Sequence, residues 1–227
     1  TAEAYYDLGL VHQMQNRSGA AISAFASAIE TNPDYLPPYD KLIEDITQKG
    51  QKIQMLAYYP MAIKARPDHF IYKKNFLTLV RDSRVLIFNP DLKNALLECL
   101  KTPDLDFSGI ELFWFSLLKT DPEFKPIYKL AKLKNYASFK AAFSCIKDTG
   151  PMLSPYFLLG LQKLIVFNPE FEQFVKYLRR LFLDNVNVRE GIFNDPSFAD
   201  IVLALSHYCF STEYIISLSD EEKHALS

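Results

Sequence analysis

Glycine is scarce in this chain, which has seven glycines among its 227 residues and no two of them closer than ten positions. A loop that cradles a phosphate or a dinucleotide needs several small residues within a few positions, because its backbone N–H groups must approach the ligand closely. The sequence contains no such loop. We therefore expect no cofactor site in these residues. The local His, Cys and carboxylate clusters described below are better explained by structure, so we also expect no catalytic site and no metal site.

Cysteine and long apolar runs are also rare. The three cysteines, Cys99, Cys145 and Cys209, are odd in number and far apart, which argues against a disulfide framework and favours a reducing compartment. No run approaches the roughly 18 apolar residues that a membrane span needs. We expect a cytoplasmic protein that does not associate with membranes, and targeting signals ahead of Thr1 are left open.

Charges of the two signs nearly balance, with 25 basic and 27 acidic residues and a net charge of -2. Proteins that bind nucleic acid usually carry a basic surplus or a concentrated basic stripe, because they neutralise phosphates. The nearest stripe is interrupted by aromatic and aliphatic residues and consists of Lys125, Lys129, Lys132, Lys134 and Lys140. We interpret it as a solvated helix face, with an anionic partner as the alternative, and we expect no nucleic-acid partner.

The first third of the chain carries a pattern of bulky and small residues that recurs after 34 positions. Its first occurrence comprises Tyr5, Leu8, Gly9, His12, Ala21, Phe25, Ala28 and Pro33. It returns at Tyr39, Leu42, Tyr59, Ala62 and Pro67. The pattern resembles the tetratricopeptide repeat, a pair of helices in which small residues permit a close helix contact and a proline ends the second helix.

A third first helix is predicted over residues 70–81, and the period is lost after Asp82. We therefore expect tetratricopeptide repeats over residues 1–82, with two clear units and the first helix of a third. Because at least three stacked units are normally needed for stability, further repeats precede Thr1 or the following helices cap the stack.

The remainder, residues 83–227, repeatedly shows an Asn or Asp followed by Pro. This pair is typical of a helix start, since the polar side chain caps the helix and proline fits its first turn. The four occurrences are Asn89-Pro90, Asp121-Pro122, Asn168-Pro169 and Asp195-Pro196. Apolar residues at helical spacing accompany them. We expect a helical bundle here, and an all-α chain of about a dozen helices without a sheet.

Several stretches of this second part resemble a known family. They are residues 96–106, 117–122, 178–180, 203–205, 208–215 and 220–222. Together they are similar to the middle region of bacterial fusion proteins that join tetratricopeptide repeats, a helical domain and a methyltransferase domain. That family usually reads Gln-Cys-Phe-x-Asn-Glu-Tyr-Val around Cys209, whereas this chain has Tyr208 and Thr212 at the Gln and Asn places.

The resemblance implies methyl transfer from S-adenosylmethionine by a catalytic domain that lies beyond Ser227. This chain would then be the non-catalytic front part, which binds proteins and positions a substrate. A stand-alone tetratricopeptide adaptor or bacterial effector scaffold without an enzyme domain is the alternative. A third hypothesis is an enzyme site within the bundle around His207 and Glu213.

Three local clusters are candidate sites. His207 and Cys209 are two positions apart, so on a helix their side chains point to opposite faces and do not form a dyad. Glu213 and Tyr214 are interpreted either as a contact to another domain or as a local helix start. Asp104 and Asp106 fit turn and capping chemistry better than a metal pair.

The best candidate surface is the groove that the first helices of the repeats would line. Its predicted members are Tyr6, Leu10, Gln13, Met14, Asp40, Glu44, Thr47, Gln48, Lys74, Thr78 and Arg81. We expect this groove to bind a protein or peptide, or another domain of the same chain. The alternative is a groove filled by the chain's own flanking helix.

Overall fold

The computed structural model describes residues 1–48, 52–146, 148–187 and 197–212. These residues form twelve α-helices and two short 3₁₀-helices, and none of them lies in a strand, which confirms the all-α prediction. The chain divides into two compact units. Unit 1 comprises Thr1–Val80 and Pro90–Asp106, and unit 2 comprises Arg81–Asn89 and Phe107–Ser227.

Unit 1 contains six helices that pack in succession. They are α1 (Ala2–Met14), α2 (Ser18–Thr31), α3 (Pro37–Gln48), α4 (Lys52–Ala65), α5 (Phe70–Val80) and α6 (Pro90–Lys101). Each helix contacts the next, and α4 also contacts α6. The arrangement is that of three consecutive helix pairs, α1 with α2, α3 with α4 and α5 with α6, which is compatible with a helical repeat.

The buried residues of the three second helices recur at fixed steps. In α2 they include Ala21, Phe25, Ala28 and Ile29. In α4 the equivalent buried residues lie 34 positions later, at Met55, Tyr59, Ala62 and Ile63. In α6 they lie a further 37 positions on, at Leu92, Leu96, Cys99 and Leu100. Helix α6 therefore takes the place of a third second helix, displaced by three residues.

This placement differs from the boundary expected at residue 82. Helix α5 ends at Val80, and Asp82 has a left-handed backbone with φ of 55°, a conformation that ends a helix and that few residues other than glycine and Asn/Asp adopt. The connection Arg81–Asn89 then belongs to unit 2, and the chain returns to unit 1 at Pro90. The 34-residue period breaks here because the connection from α5 to α6 is longer than those from α1 to α2 and from α3 to α4.

Close contact between α1 and α2 depends on Gly9. This residue is buried, and a Cβ atom at its position would overlap the Phe25 ring. Ala21 and Ala28 are fully buried on α2, so small residues bring the helices together while Phe25 fills the space beside them.

Unit 2 contains six further helices. They are α7 (Glu111–Thr120), α8 (Lys125–Tyr128), α9 (Tyr136–Phe143), α10 (Pro155–Lys163), α11 (Pro169–Asn187) and α12 (Ser197–Ser211), with 3₁₀-helices at Lys129–Lys132 and Gly150–Leu153. Helix α12 packs on α10 and α11, and α11 packs on α9.

An aromatic cluster around Trp114 forms the core of unit 2. The Trp114 indole is fully buried and lies 5.7 Å from the Phe171 ring and 6.1 Å from the Tyr156 ring. Its Nε1–H donates to the carbonyl of Tyr156, and the Tyr156 hydroxyl donates to the carbonyl of Trp114, each at 3.3 Å. Gly160 lies against the indole, so a Cβ atom there would overlap the ring.

The predicted helix starts have mixed outcomes. The Asn168 side chain accepts a hydrogen bond from the Phe171 N–H at 3.0 Å and caps α11, as expected. The prediction of a helix beginning at Pro122 is wrong, because the Asp121 carboxylate instead accepts from the Glu123 N–H at 2.9 Å and holds a turn. Helix α8 begins only at Lys125. Asp195 and Pro196 lie outside the described residues.

Candidate functional site

Side-chain hydrogen bonds link the three first helices of unit 1 in order. Gln13 on α1 donates to the Asp45 carboxylate on α3 at 3.1 Å, and Ser18 donates to its other oxygen at 3.0 Å. The Tyr72 hydroxyl on α5 donates to the Asp40 carboxylate on α3. Asp45 is almost completely buried, so these two donors satisfy a carboxylate that would otherwise be costly to desolvate. The result is one continuous surface over α1, α3 and α5.

We call the solvent-exposed part of this surface the first-helix face. Of the predicted groove residues, Met14, Asp40, Glu44, Lys74 and Thr78 are exposed on it. Their charges change along the face, because α3 contributes two acidic groups and α5 contributes a lysine. Glu44 also pairs with Lys41 at 3.2 Å, and the Thr78 hydroxyl donates to the carbonyl of Lys74.

Other predicted groove residues are engaged within the fold. The Tyr6 ring lies 5.8 Å from both the Phe25 and Tyr35 rings, and it is half-buried there. Leu10 is also half-buried, and Gln13 is held by Asp45.

Three members of the predicted groove fall elsewhere. Thr47 and Gln48 belong to α3, but their side chains lie outside the described part of the structure. Arg81 is exposed and belongs to unit 2.

The Tyr72–Asp40 contact is an electrostatic feature that the sequence did not suggest. Burial, and then the adjacent Asp40 carboxylate, raise the pKa of Tyr72 well above its ordinary value. A tyrosine is protonated at physiological pH even with its ordinary pKa, so the Tyr72 hydroxyl donates to Asp40 there. This bond fixes the orientation of an acidic group on the first-helix face.

In the third helix pair, Lys73 occupies the place that Tyr5 and Tyr39 hold in the first two pairs. Lys73 is 5% exposed, and its Nζ donates to the Thr102 hydroxyl at 2.6 Å. The neighbouring Cys99 is buried, and burial raises the pKa of its thiol to about 12, so it is an unreactive core residue. The sequence did not indicate a buried lysine here, because the repeat has an aromatic residue at this place in the first two pairs.

The side of α1 that carries Tyr5 and Leu8 is more exposed than the equivalent sides of α3 and α5. Leu8 is 44% exposed, whereas its counterparts Leu42 and Phe76 are completely buried. Tyr5 is likewise 42% exposed and its counterpart Tyr39 only 1%. Helix α3 packs on α2, and α5 packs on α4, so each is covered by the second helix of the preceding pair. Helix α1 has no such neighbour among the described residues.

Two of the three candidate clusters, His207 with Cys209 and Asp104 with Asp106, lie within the described residues. His207 is exposed, whereas Cys209 is half-buried with the Arg179 guanidinium 3.7 Å from its sulfur. Asp104 has a left-handed backbone, with φ of 60°, in the turn after α6, which agrees with turn chemistry. Glu213 and Tyr214 lie outside the described residues.

The five lysines interpreted as a helix face are all exposed. They do not share one helix, because they are distributed over α8, the following 3₁₀-helix, a loop and α9. Lys140 pairs with Asp184 at 2.9 Å.

Clusters that could hold a metal and helices that could span a membrane are both absent from the described residues. Among these residues no group of three or more His, Cys, Asp or Glu side chains is arranged to hold a metal ion. In the same part of the chain, every helix is too short or too polar to cross a bilayer.

No protein-family model matches this chain, and neither a curated protein nor a solved structure matches it.

Proposed function

We propose that unit 1 is a tetratricopeptide-type array and that the chain is a non-catalytic module that binds proteins through its first-helix face. The observation that supports this most directly is the hydrogen-bonded succession of α1, α3 and α5, which leaves a row of exposed side chains on three neighbouring helices. A row of side chains on three neighbouring helices offers several separate contacts to one extended peptide.

The charges on the face favour a particular kind of peptide. Exposed Met14 provides an apolar contact at one end, Asp40 and Glu44 are acidic in the middle, and Lys74 is basic on α5. A ligand with complementary charges carries an apolar residue, then a basic residue, then an acidic residue. An entirely acidic tail would be repelled by α3.

A peptide array tests the proposal. The chain is applied to an array of random twelve-residue peptides, and bound peptides are compared between the wild type and Lys74→Glu. The matched control is Lys64→Glu, which makes the same charge change at an exposed position on the second helix α4. We expect Lys74→Glu to lose peptides that carry an acidic residue and Lys64→Glu to retain them. Equal losses in both variants would contradict the proposal.

The resemblance of the second part of the chain extends the proposal to a larger protein. In that version the module positions a substrate for an S-adenosylmethionine-dependent methyltransferase domain encoded after Ser227, and that domain holds the cofactor. A stand-alone adaptor or effector scaffold remains the competing function. The parent reading frame distinguishes them, since a glycine-rich strand–helix domain after Ser227 supports the first and a stop codon supports the second. Calorimetric binding of S-adenosylmethionine to these 227 residues alone would contradict both.

A further inference from the structure

Unit 2 contains a cleft of about 600 Å³ that no sequence motif indicated. It lies between residues 84–88, helix α7 and the stretch that precedes α11. Its lining residues are Arg84, Val85, Leu86, Ile87, Phe88, Leu112, Phe115, Ser116, Lys119, Thr120, Lys125, Phe167 and Asn168. We call it the 84–88 cleft.

Hydrogen bonds anchor one wall of the 84–88 cleft on the rest of unit 2. The Asp82 N–H donates to the carbonyl of Gly109 at 2.7 Å, and the Val85 N–H donates to the Ser116 hydroxyl on α7, also at 2.7 Å. The Ser116 hydroxyl in turn donates to the carbonyl of Phe113. The segment is therefore held at two points, and this fixes the residues that follow Val85 at the edge of the cleft.

Three large apolar side chains border the 84–88 cleft with little cover. Leu86 is 89% exposed, Ile87 is 83% exposed and Phe167 is 71% exposed. Isolated exposed apolar residues are ordinary, but several around one concavity are typical of a binding surface. Phe115, which is buried, adds an aromatic ring to the same lining.

The charged lining of the 84–88 cleft has one sign. Arg84, Lys119 and Lys125 contribute three cations, and the lining includes no carboxylate. Within the described residues none of these three forms an ion pair. The cleft therefore combines apolar side chains with three cations and no carboxylate in its lining, a composition that favours anionic ligands over cationic ones.

We infer that the 84–88 cleft binds a short acidic segment of a partner protein, in which bulky apolar residues alternate with Asp or Glu. The apolar residues would cover Leu86, Ile87 and Phe167, and the carboxylates would approach the three cations. Three cations in one lining match a segment that carries several carboxylates, whereas a fatty acid carries a single one. This inference concerns unit 2 alone and does not depend on the first-helix face.

Phage selection with a library of random peptides tests the inference, followed by fluorescence anisotropy with the selected peptides at two salt concentrations. The wild-type chain should select peptides enriched in both acidic and bulky apolar residues, and added salt should weaken their binding. Lys119→Glu should weaken it by about tenfold, and the double change Leu86→Ser with Ile87→Ser should weaken it as much. Because all three positions are exposed, these variants should fold normally, which circular dichroism checks.

The control is Lys134→Glu, an exposed position of unit 2 outside the cleft, which should leave affinity within about twofold of the wild type. Selected peptides without acidic enrichment would overturn the inference, as would equal losses in Lys119→Glu and Lys134→Glu. Binding of oleate in place of any peptide would also overturn it, because the occupant would then be a lipid.

Discussion

The two units use large buried side chains in different ways. Unit 1 distributes them along the chain, with Phe25, Tyr59 and Leu96 at equivalent places in three second helices. Unit 2 gathers them, since Trp114, Phe171 and other rings contact one another in a cluster drawn from several helices. A change in unit 1 should therefore affect one helix pair and its neighbours, whereas a change in the cluster should affect the whole of unit 2.

The largest expected effect is that of Trp114→Ala. This change removes a fully buried indole and the hydrogen bond that it donates to the carbonyl of Tyr156, so it should lower the free energy of unfolding by about 3–5 kcal/mol. Urea unfolding followed by far-UV circular dichroism measures it. Phe167→Ala, at an exposed position of the same unit, should change the free energy by about 0.5 kcal/mol or less. Similar losses in the two variants would refute the cluster as the core.

Within unit 1, equivalent leucines should respond unequally. Leu42→Ala should cost about 2–5 kcal/mol, because Leu42 is completely buried, whereas Leu8→Ala should cost less than about 1 kcal/mol. Urea midpoints of the two variants, measured side by side, test the difference. If Leu8→Ala were as costly as Leu42→Ala, α1 would be covered by a neighbour in solution.

The contact between α1 and α2 provides a third comparison. Gly9→Ala should destabilise by about 1–3 kcal/mol, because the new Cβ atom overlaps the Phe25 ring. Gly19→Ala adds the same methyl group where no atom lies within 4 Å, so it should be neutral or stabilising by up to about 1 kcal/mol. Thermal unfolding of both variants checks the sign. Destabilisation by Gly19→Ala would mean that α2 begins differently.

The smallest expected effect depends on pH. Burial favours a raised pKa for Asp184, but hydrogen bonds from Lys140 and Tyr136 lower it overall. A lowered folded-state pKa means that the stabilisation is present above the ordinary Asp value of about 4 and is lost as the pH falls through the folded-state pKa. Asp184→Asn should therefore cost about 0.5 kcal/mol at pH 7, since the pair is partly exposed.

That cost should diminish towards pH 3, which urea titrations of the wild type and the variant at both pH values measure. A cost that stayed constant over this range would show that the carboxylate charge is not responsible.

The sequence predicted the helical class and the first two helix pairs because their apolar and small residues recur at a fixed step. It did not place α6 in unit 1, since three additional residues before Leu92 break that step although the burial pattern continues. It also missed Lys73, because the period specifies a bulky residue there and a lysine can be buried only with a partner such as Thr102.

The 84–88 cleft could not be read from local patterns. Its walls join residues that are about 30 to 80 positions apart, such as Leu86, Ser116 and Phe167. The one local signal is the apolar run 85–88. It lies between helices α5 and α6, so it is not part of the apolar side of any helix. Such long-range contacts depend on how the helices pack, and the spacing of residues along the sequence does not predict that.

Expression of two fragments tests most directly whether α6 completes the third helix pair of unit 1. Residues 1–106 contain all three pairs, whereas residues 1–82 leave α5 without its partner α6. We expect the longer fragment to be helical and to unfold cooperatively in urea, monitored by circular dichroism, and the shorter one to unfold at lower urea or without a transition. Equal midpoints for the two fragments would contradict the claim.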